Sequence, residues 1–316
     1  MLLTSAPLSD RRPTLPLRPK YLFRQPLKHK VYARSMTIAA GFTCNNGVLL
    51  CADTEETGWA MTIHASKLGD FRCPVGKIAF AYAGHTIFAR SAIQHCEREL
   101  QDLTNPSDLV PTLEGILDRE YRRTVLSHPD HATDGTIPYQ LLLVLVKAGE
   151  PPEFFVTAQQ AMSHVDGYEC IGMGNYLAHY LVRPLFSRRR DERFVYTLAA
   201  YMLANVKGYV PDTGGTSEFL MVRSDGTLIK QVAWVNQEPF SGIEWLERQS
   251  KYYEKLARTL LFQLVDPAIG DDTFDECVEE FVKRITDIRS KWRKGKHGHE
   301  SFVEMLKDLS GTDLGQ

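Results

Sequence analysis

Long hydrophobic runs are missing from this chain: no apolar stretch approaches the ~18–20 residues that a membrane-spanning helix needs, so the sequence reads as a soluble protein. Clustered cysteine is missing too. Cys44, Cys51, Cys73, Cys96, Cys170 and Cys277 are scattered without metal-ligand spacing, and a chain of 316 residues does not need a disulfide framework. Reduced thiols in a cytoplasmic setting are the expectation. A large excess of positive charge is absent as well; the formal net charge of -2 gives no reason to expect nucleic acid as a partner. There is no internal repeat. Hydrophobic residues make up 43% of the chain, enough at this length to bury a full core.

Acidic residues are nearly missing from residues 1 to 35. Asp10 stands alone against Arg11, Arg12, Arg18, Lys20, Arg24, Lys28, Lys30 and Arg34, and Pro7, Pro13, Pro16, Pro19 and Pro26 interrupt the stretch. A secretory signal is excluded because no continuous apolar segment follows the charges, and the prolines break an amphipathic transit helix. Three readings stay open for this leader: a disordered segment, a cleaved propeptide, or sequence upstream of a true start at Met36. The last two are preferred.

The segment that follows is the most informative. Thr37-Ile38-Ala39-Ala40-Gly41-Phe42-Thr43 runs into Cys44-Asn45-Asn46-Gly47, and then Val48-Leu49-Leu50-Cys51-Ala52-Asp53. An Asn-Gly pair between two apolar runs predicts a hairpin with a tight turn at that pair. Such a hairpin returns Asp53 to the place where Thr37 begins. A threonine hydroxyl is a weak nucleophile without a base beside it. If Met36 is removed, Thr37 carries its own base, an α-amino group of pKa about 8.

Several motifs then resemble, in order and spacing, those of proteasome β-type subunits of the N-terminal-nucleophile hydrolases. They are the run from Thr37 through Asp53, the lysine segment Ser66-Lys67-Leu68, the strand from Lys77 to Gly84, Ile171-Gly172-Met173-Gly174, and Thr213-Gly214-Gly215. The resemblance covers residues 37 to about 235. It implies an α+β fold, a four-layer αββα sandwich, and an amide-bond hydrolase acting on peptides or unfolded protein inside a homo-oligomeric ring. It implies no metal or organic cofactor. By the same resemblance Thr37 is the nucleophile, Asp53 orients Lys67, and the Gly84 N–H supports the oxyanion. Glu55, Asp212, Thr213 and Gly214 are possible supporting residues.

The chain also departs from that pattern. Glu55 stands where an arginine is common, Met173 replaces the serine between two glycines, and Val210 occupies an aspartate position, with Asp212 close by. Met36 stands where self-cleaving relatives usually carry glycine, which suits initiator-methionine removal better than autolysis. Two other readings stay open: a non-catalytic structural subunit like the α-type relatives, and a small-molecule amidase. Residue by residue, Thr37 also suits a strand-opening threonine, Asp53 a turn carboxylate, Lys67 a surface lysine and Gly84 a strand end. Because Asp53 and Glu55 lie two apart in an extended strand, both carboxylates are expected to face Lys67.

Elsewhere, apolar periodicity predicts helices over 85–103, 109–126, 175–182 and 192–206, strands over 77–83, 139–146 and 153–157, and a hairpin over 217–232 across Asp225-Gly226. From about residue 236 the pattern becomes helical, with a capping-box signature at Thr273 and Glu276. The expected organisation is a leader (1–36), a hydrolase domain (37–235) and a helical C-terminal extension (236–316). His128, Asp130 and His131 lack a third ligand at metal spacing, and Gly172-Met173-Gly174 lacks the third glycine of a dinucleotide site.

Overall fold

In a computed structural model of the chain, the Thr37–Asp53 segment folds as the expected hairpin of β1 (Ile38–Cys44) and β2 (Gly47–Asp53). Its turn falls one residue earlier than the Asn-Gly pair predicts. Cys44 pairs with Gly47, so Asn45 and Asn46 fill the turn and Gly47 opens β2. Gly47 lies close against the neighbouring strand: a Cβ there would sit 2.0 Å from the Val222 carbonyl oxygen. The structure describes residues 37–57, 62–128, 139–187 and 191–233, together with residues 257, 270, 274–276, 278–283 and 286.

β3 (Glu55–Thr57) and β4 (Thr62–His64) form a two-stranded ribbon. Then come β5 (Leu68–Cys73), β6 (Gly76–Gly84), α1 (Thr86–Glu99) and α2 (Leu109–Tyr121), which runs on into a π-helical turn over Arg122–Leu126. β7 (Tyr139–Lys147), β8 (Glu153–Ala158), β9 (Ala161–His164) and β10 (Tyr168–Gly172) follow. Two helices, α3 (Asn175–Val182) and α4 (Glu192–Tyr209), precede the closing hairpin of β11 (Ser217–Arg223) and β12 (Leu228–Ala233).

The strands make two five-stranded antiparallel sheets, ordered β10-β1-β2-β11-β12 and β5-β6-β7-β8-β9. Their alternation divides the core in three. In the first sheet Ile38, Ala40, Phe42, Leu49, Cys51, Phe219 and Met221 pack with apolar residues of α3 and α4. The opposite residues, among them Ala39, Leu50, Ala52 and Leu220, pack with Ala79, Ala81, Leu142 and Val144 of the second sheet. On that sheet's other face, Ile78, Tyr82, Leu141, Leu143 and Leu145 pack with α1 and α2. The architecture is α+β.

The expected helices and strands between residues 77 and 232 all form. β5, β9 and β10 are strands that the apolar pattern alone does not announce. The helices expected over 243–264 and at the chain's end lie outside the described residues, apart from Ala257. Of the one expected after Thr273, residues 274–276, 278–283 and 286 are described and helical. Residues 1–36, and with them the leader, also lie outside the described residues. No helix among the described residues is long and apolar enough to cross a membrane.

Candidate active site

The hairpin register sets the site. Ala39 pairs with Ala52, which leaves Thr37 at the open end of β1 opposite the end of β2 at Asp53. The Thr37 hydroxyl donates to Asp53 Oδ1 at 2.8 Å, and the Ile38 N–H donates to the same oxygen at 3.1 Å. Lys67, the residue before β5, extends its ammonium to within 2.7 Å of Asp53 Oδ1. The other carboxylate oxygen accepts the Gly214 N–H at 3.1 Å. Asp53 thus takes four donors. Thr37, Asp53 and Lys67 are all buried.

Such a carboxylate loses water but gains a positive partner and backbone dipoles, the combination that keeps a buried charge tolerable. Lys67 has a second acceptor, the Glu55 backbone carbonyl at 2.5 Å. Burial pulls the Lys67 pKa below its ordinary 10.5, while the Asp53 charge and hydrogen bond pull it back up.

Glu55 stands differently from the expectation: its charge raises the Lys67 pKa, but less than Asp53 and Glu56 do. β2 ends at Asp53, Thr54 interrupts the strand, and β3 begins afresh at Glu55, so the two-residue alternation is broken. Glu55 offers Lys67 its main chain, and its carboxylate lies against Gly214: a Cβ there would meet Glu55 Oε2 at 2.1 Å. Glu56, which is buried, is the carboxylate after Asp53 whose charge most raises the Lys67 pKa. It accepts the Tyr82 hydroxyl at 3.2 Å, and Arg90 Nε donates to the tyrosine oxygen at 3.1 Å. Tyr82 also donates from its backbone N–H to the Lys67 carbonyl at 3.1 Å, which fixes the start of β5. Burial first, and then Glu56, pushes the Tyr82 pKa up to about 12.

The remaining sequence candidates have separate places. Thr213 donates its hydroxyl to the Val206 and Val210 carbonyls at 3.2 and 2.8 Å, finishing α4 rather than entering the site. Asp212 adopts a left-handed φ of 57° in the same turn, and Val210 caps the helix. Gly214 enters through its main chain alone. Gly84 closes β6 with a φ of 94°. The side chain before it, Ala83, lies 3.0 Å from where a Gly172 Cβ would stand, and that same point is 2.2 Å from the Thr37 carbonyl oxygen. Gly172 therefore ties the end of β10 to the Thr37 backbone, and Met173 follows it into solvent.

Sequence reasoning named Gly214 as a supporting residue without its role as a main-chain donor, and missed the main-chain donor of Ile38, which carries no side-chain signal. It also missed Glu56 and Tyr82. Only the register could have found Tyr82, two residues before Gly84 on the strand that pairs with β5.

The fold belongs to an architecture already seen in solved structures. Anbu (ancestral beta-subunit) from Yersinia bercovieri superposes with a TM-score of 0.60 at 15% identity, covering 74% of this chain and 100% of that one. The helical assembly of the Anbu complex from Pseudomonas aeruginosa gives 0.60 at 11% identity, covering 73% and 98%. Anbu from Hyphomicrobium sp. strain MC1 gives 0.58 at 12% identity, covering 74% and 100%. At these identities the likeness is one of fold. No family model matches the sequence, and neither does any curated protein. The assignment to the proteasome β-type subunits is therefore corrected: the similar structures are Anbu proteins, and no family model places the chain among β-type subunits.

Proposed function

We propose that this chain is an amide-bond hydrolase in which Thr37, freed as the N-terminal residue, is the nucleophile. The observation that carries the reading is the meeting of the Thr37 hydroxyl and the Lys67 ammonium on one oxygen, Asp53 Oδ1, at 2.8 and 2.7 Å. The Thr37 Oγ attacks the scissile carbonyl carbon, and its proton passes to the Thr37 α-amino nitrogen and then to the leaving amine. A C–O bond forms, the C–N bond breaks, and water later hydrolyses the ester to release the acid. Lys67 lowers the amine's pKa through its positive field and Asp53 holds the lysine in place. The Gly84 N–H supports the oxyanion. Peptides or unfolded protein are the substrate class, and no cofactor takes part.

This reading extends to organisation. The core is taken as a four-layer αββα sandwich, supported by the three apolar clusters and their facing residues. Residues 1–36 are removed before activity. The cytoplasm is the expected compartment, in keeping with reduced thiols at Cys44, Cys73, Cys96 and Cys170. The chain assembles with copies of itself, and an open helical array is preferred to the expected ring because a fold-mate is described as a helical assembly.

The test compares three proteins on a fluorogenic peptide panel: the full chain, a chain whose first residue is Thr37, and that chain carrying Thr37→Ala. Cleavage by the second alone supports the mechanism. Equal cleavage by the full chain, or any surviving in Thr37→Ala, overturns it.

A further inference from the structure

Of the four donors on Asp53, the Gly214 N–H is the one that a glycine pair delivers. It meets Asp53 Oδ2 at 3.1 Å, and Gly215 follows with a left-handed φ of 69°. Adjacent glycines have more conformational freedom than any other pair, so the aim of that amide is set by what holds the loop around them. On one side Thr213 is tied to the end of α4 through the Val206 and Val210 carbonyls. On the other, the Thr216 N–H donates to Thr54 Oγ1 at 2.9 Å, and the Thr216 carbonyl accepts the Thr54 N–H at 3.1 Å.

A lysine makes a third tie. Lys207, half-buried in the last turn of α4, donates from Nζ to Ser217 Oγ at 2.8 Å and to the Gly215 carbonyl at 3.4 Å. Ser217 is buried and stands opposite Asp53 in the pairing of β2 with β11. The ammonium thus spans the loop from the residue after Gly214 to the residue that faces Asp53. A lysine at this end of a helix ordinarily serves the helix, facing its last carbonyls and the negative end of its dipole. These two bonds reach past the helix, to residues 215 and 217.

We infer that Lys207 is a positioning residue of this site: it fixes the glycine pair so that the Gly214 N–H stays on Asp53 Oδ2. The inference rests on the hydrolase reading above and adds to it a residue outside Thr37, Asp53 and Lys67. The consequence is rotational. A carboxylate turns readily about its last bond. Oδ1 takes Thr37, Ile38 and Lys67 while Oδ2 takes Gly214, so the donors together fix the carboxylate plane. With the loop released, Oδ2 loses its donor, the plane tilts, and the Thr37 hydroxyl and the Lys67 ammonium lose their common reference. That loss falls on turnover rather than on substrate binding.

Hydrogen exchange and peptide kinetics on Lys207→Met, Lys207→Arg, Ser217→Ala and Lys147→Met test this. Lys147 is the control: it pairs with Glu150 and Glu153 at the far end of β7 from Tyr139, the residue that pairs with Gly84. Exchange is followed by mass spectrometry on peptides spanning residues 213–217 of the full chain, and kinetics use the chain that begins at Thr37. Lys207→Met is expected to speed that exchange and lower kcat, each about tenfold, the scale of one hydrogen bond to a charged group, with KM within about twofold. Ser217→Ala keeps the lysine but removes its nearer acceptor, and is expected to move both in the same direction by about threefold. Lys207→Arg, which keeps donors for both acceptors, and Lys147→Met are expected to stay within about twofold of the parent.

A Lys207→Met protein that melts lower while its exchange and kcat match the parent's assigns the lysine to the helix end and overturns the inference. Faster exchange with unchanged kcat does the same, as does an equal effect from Lys147→Met. If Lys207→Met does not fold, Ser217→Ala decides, and parental exchange and kcat there overturn the inference. A parent without Thr37-dependent cleavage overturns the hydrolase reading instead, and exchange on the full chain then decides by itself whether Lys207 aims the Gly214 amide.

Discussion

Lys67 Nζ lies 2.7 Å from Asp53 Oδ1, and neither side chain has any exposure to solvent. Removing one partner of such a pair leaves the other charge buried and unmatched, which costs about 3–5 kcal/mol. Asp53→Asn should therefore lower chemical-denaturation stability by about that amount. The double variant Asp53→Asn/Lys67→Met should recover much of the loss, because neither charge is then stranded. Urea titrations of parent, single and double variants decide it. A double variant no more stable than the single would mean that the lysine is held by something other than Asp53.

Glu55 should be nearly silent in the pH–rate profile. Its carboxylate rests on Gly214, its hydrogen bond to Lys67 comes from a main-chain carbonyl that Glu55→Gln preserves, and its charge acts on the lysine less than those of Asp53 and Glu56. The rising limb of the profile on fluorogenic peptides should stay within about 0.3 units of the parent, since a larger shift requires a carboxylate close to the titrating group. Glu56→Gln, beside Tyr82, should move it further. The reverse order of the two effects would return Glu55 to the site.

Gly172→Ala should damage both stability and activity. The backbone there has a φ of 96°, and the new methyl would stand 2.2 Å from the Thr37 carbonyl oxygen. Strain of that kind costs on the order of 1–3 kcal/mol. The Thr37 backbone must give way, so kcat should fall while the variant remains folded. Thermal melts and kinetics on the same preparation separate the two effects; unchanged kcat would detach β10 from the proposed role of Thr37.

His85 should make the protein less stable in mild acid. Its Nδ1 is buried without a hydrogen-bond partner, and its ring stacks on Phe88 with centroids 4.2 Å apart. Burial, and then the nearby His128, holds its pKa below the ordinary 6.5. The unfolded imidazole takes up a proton near 6.5 while the folded one resists until lower pH, so stability falls as pH drops through that window. Melting temperatures between pH 7.5 and 5.5 should decline more steeply for the parent than for His85→Gln. Parallel declines would remove His85 from the account.

Much of this was legible because it is periodic or local. The Asn45-Asn46-Gly47 turn between apolar runs marks the first hairpin, and the dense strand at 139–147 announces a central position between β6 and β8. The same hairpin brings Thr37 to Asp53, so two members of the candidate site follow from a stretch with a sequence separation of 16. β5 was hidden because Gly69, Asp70 and Arg72 interrupt its apolar pattern. Side-chain direction failed at Glu55 because alternation holds only within an unbroken strand, and Thr54 leaves the strand to bond with Thr216. Main-chain donors such as Gly214 N–H depend on where a loop passes, which no residue type encodes. The family assignment rested on short motifs, and those motifs track the fold rather than a family.

The four donors on Asp53 also differ in how far the chain must travel to deliver them. Thr37 and Lys67 are 16 and 14 residues away, whereas Gly214 is 161 residues away. Short loops close at small entropic cost and within microseconds, while a contact of that separation waits for most of the molecule. The threonine and the lysine thus reach the aspartate by short loops. The last amide arrives only with β11, so its hydrogen bond serves as a record that the whole domain has closed.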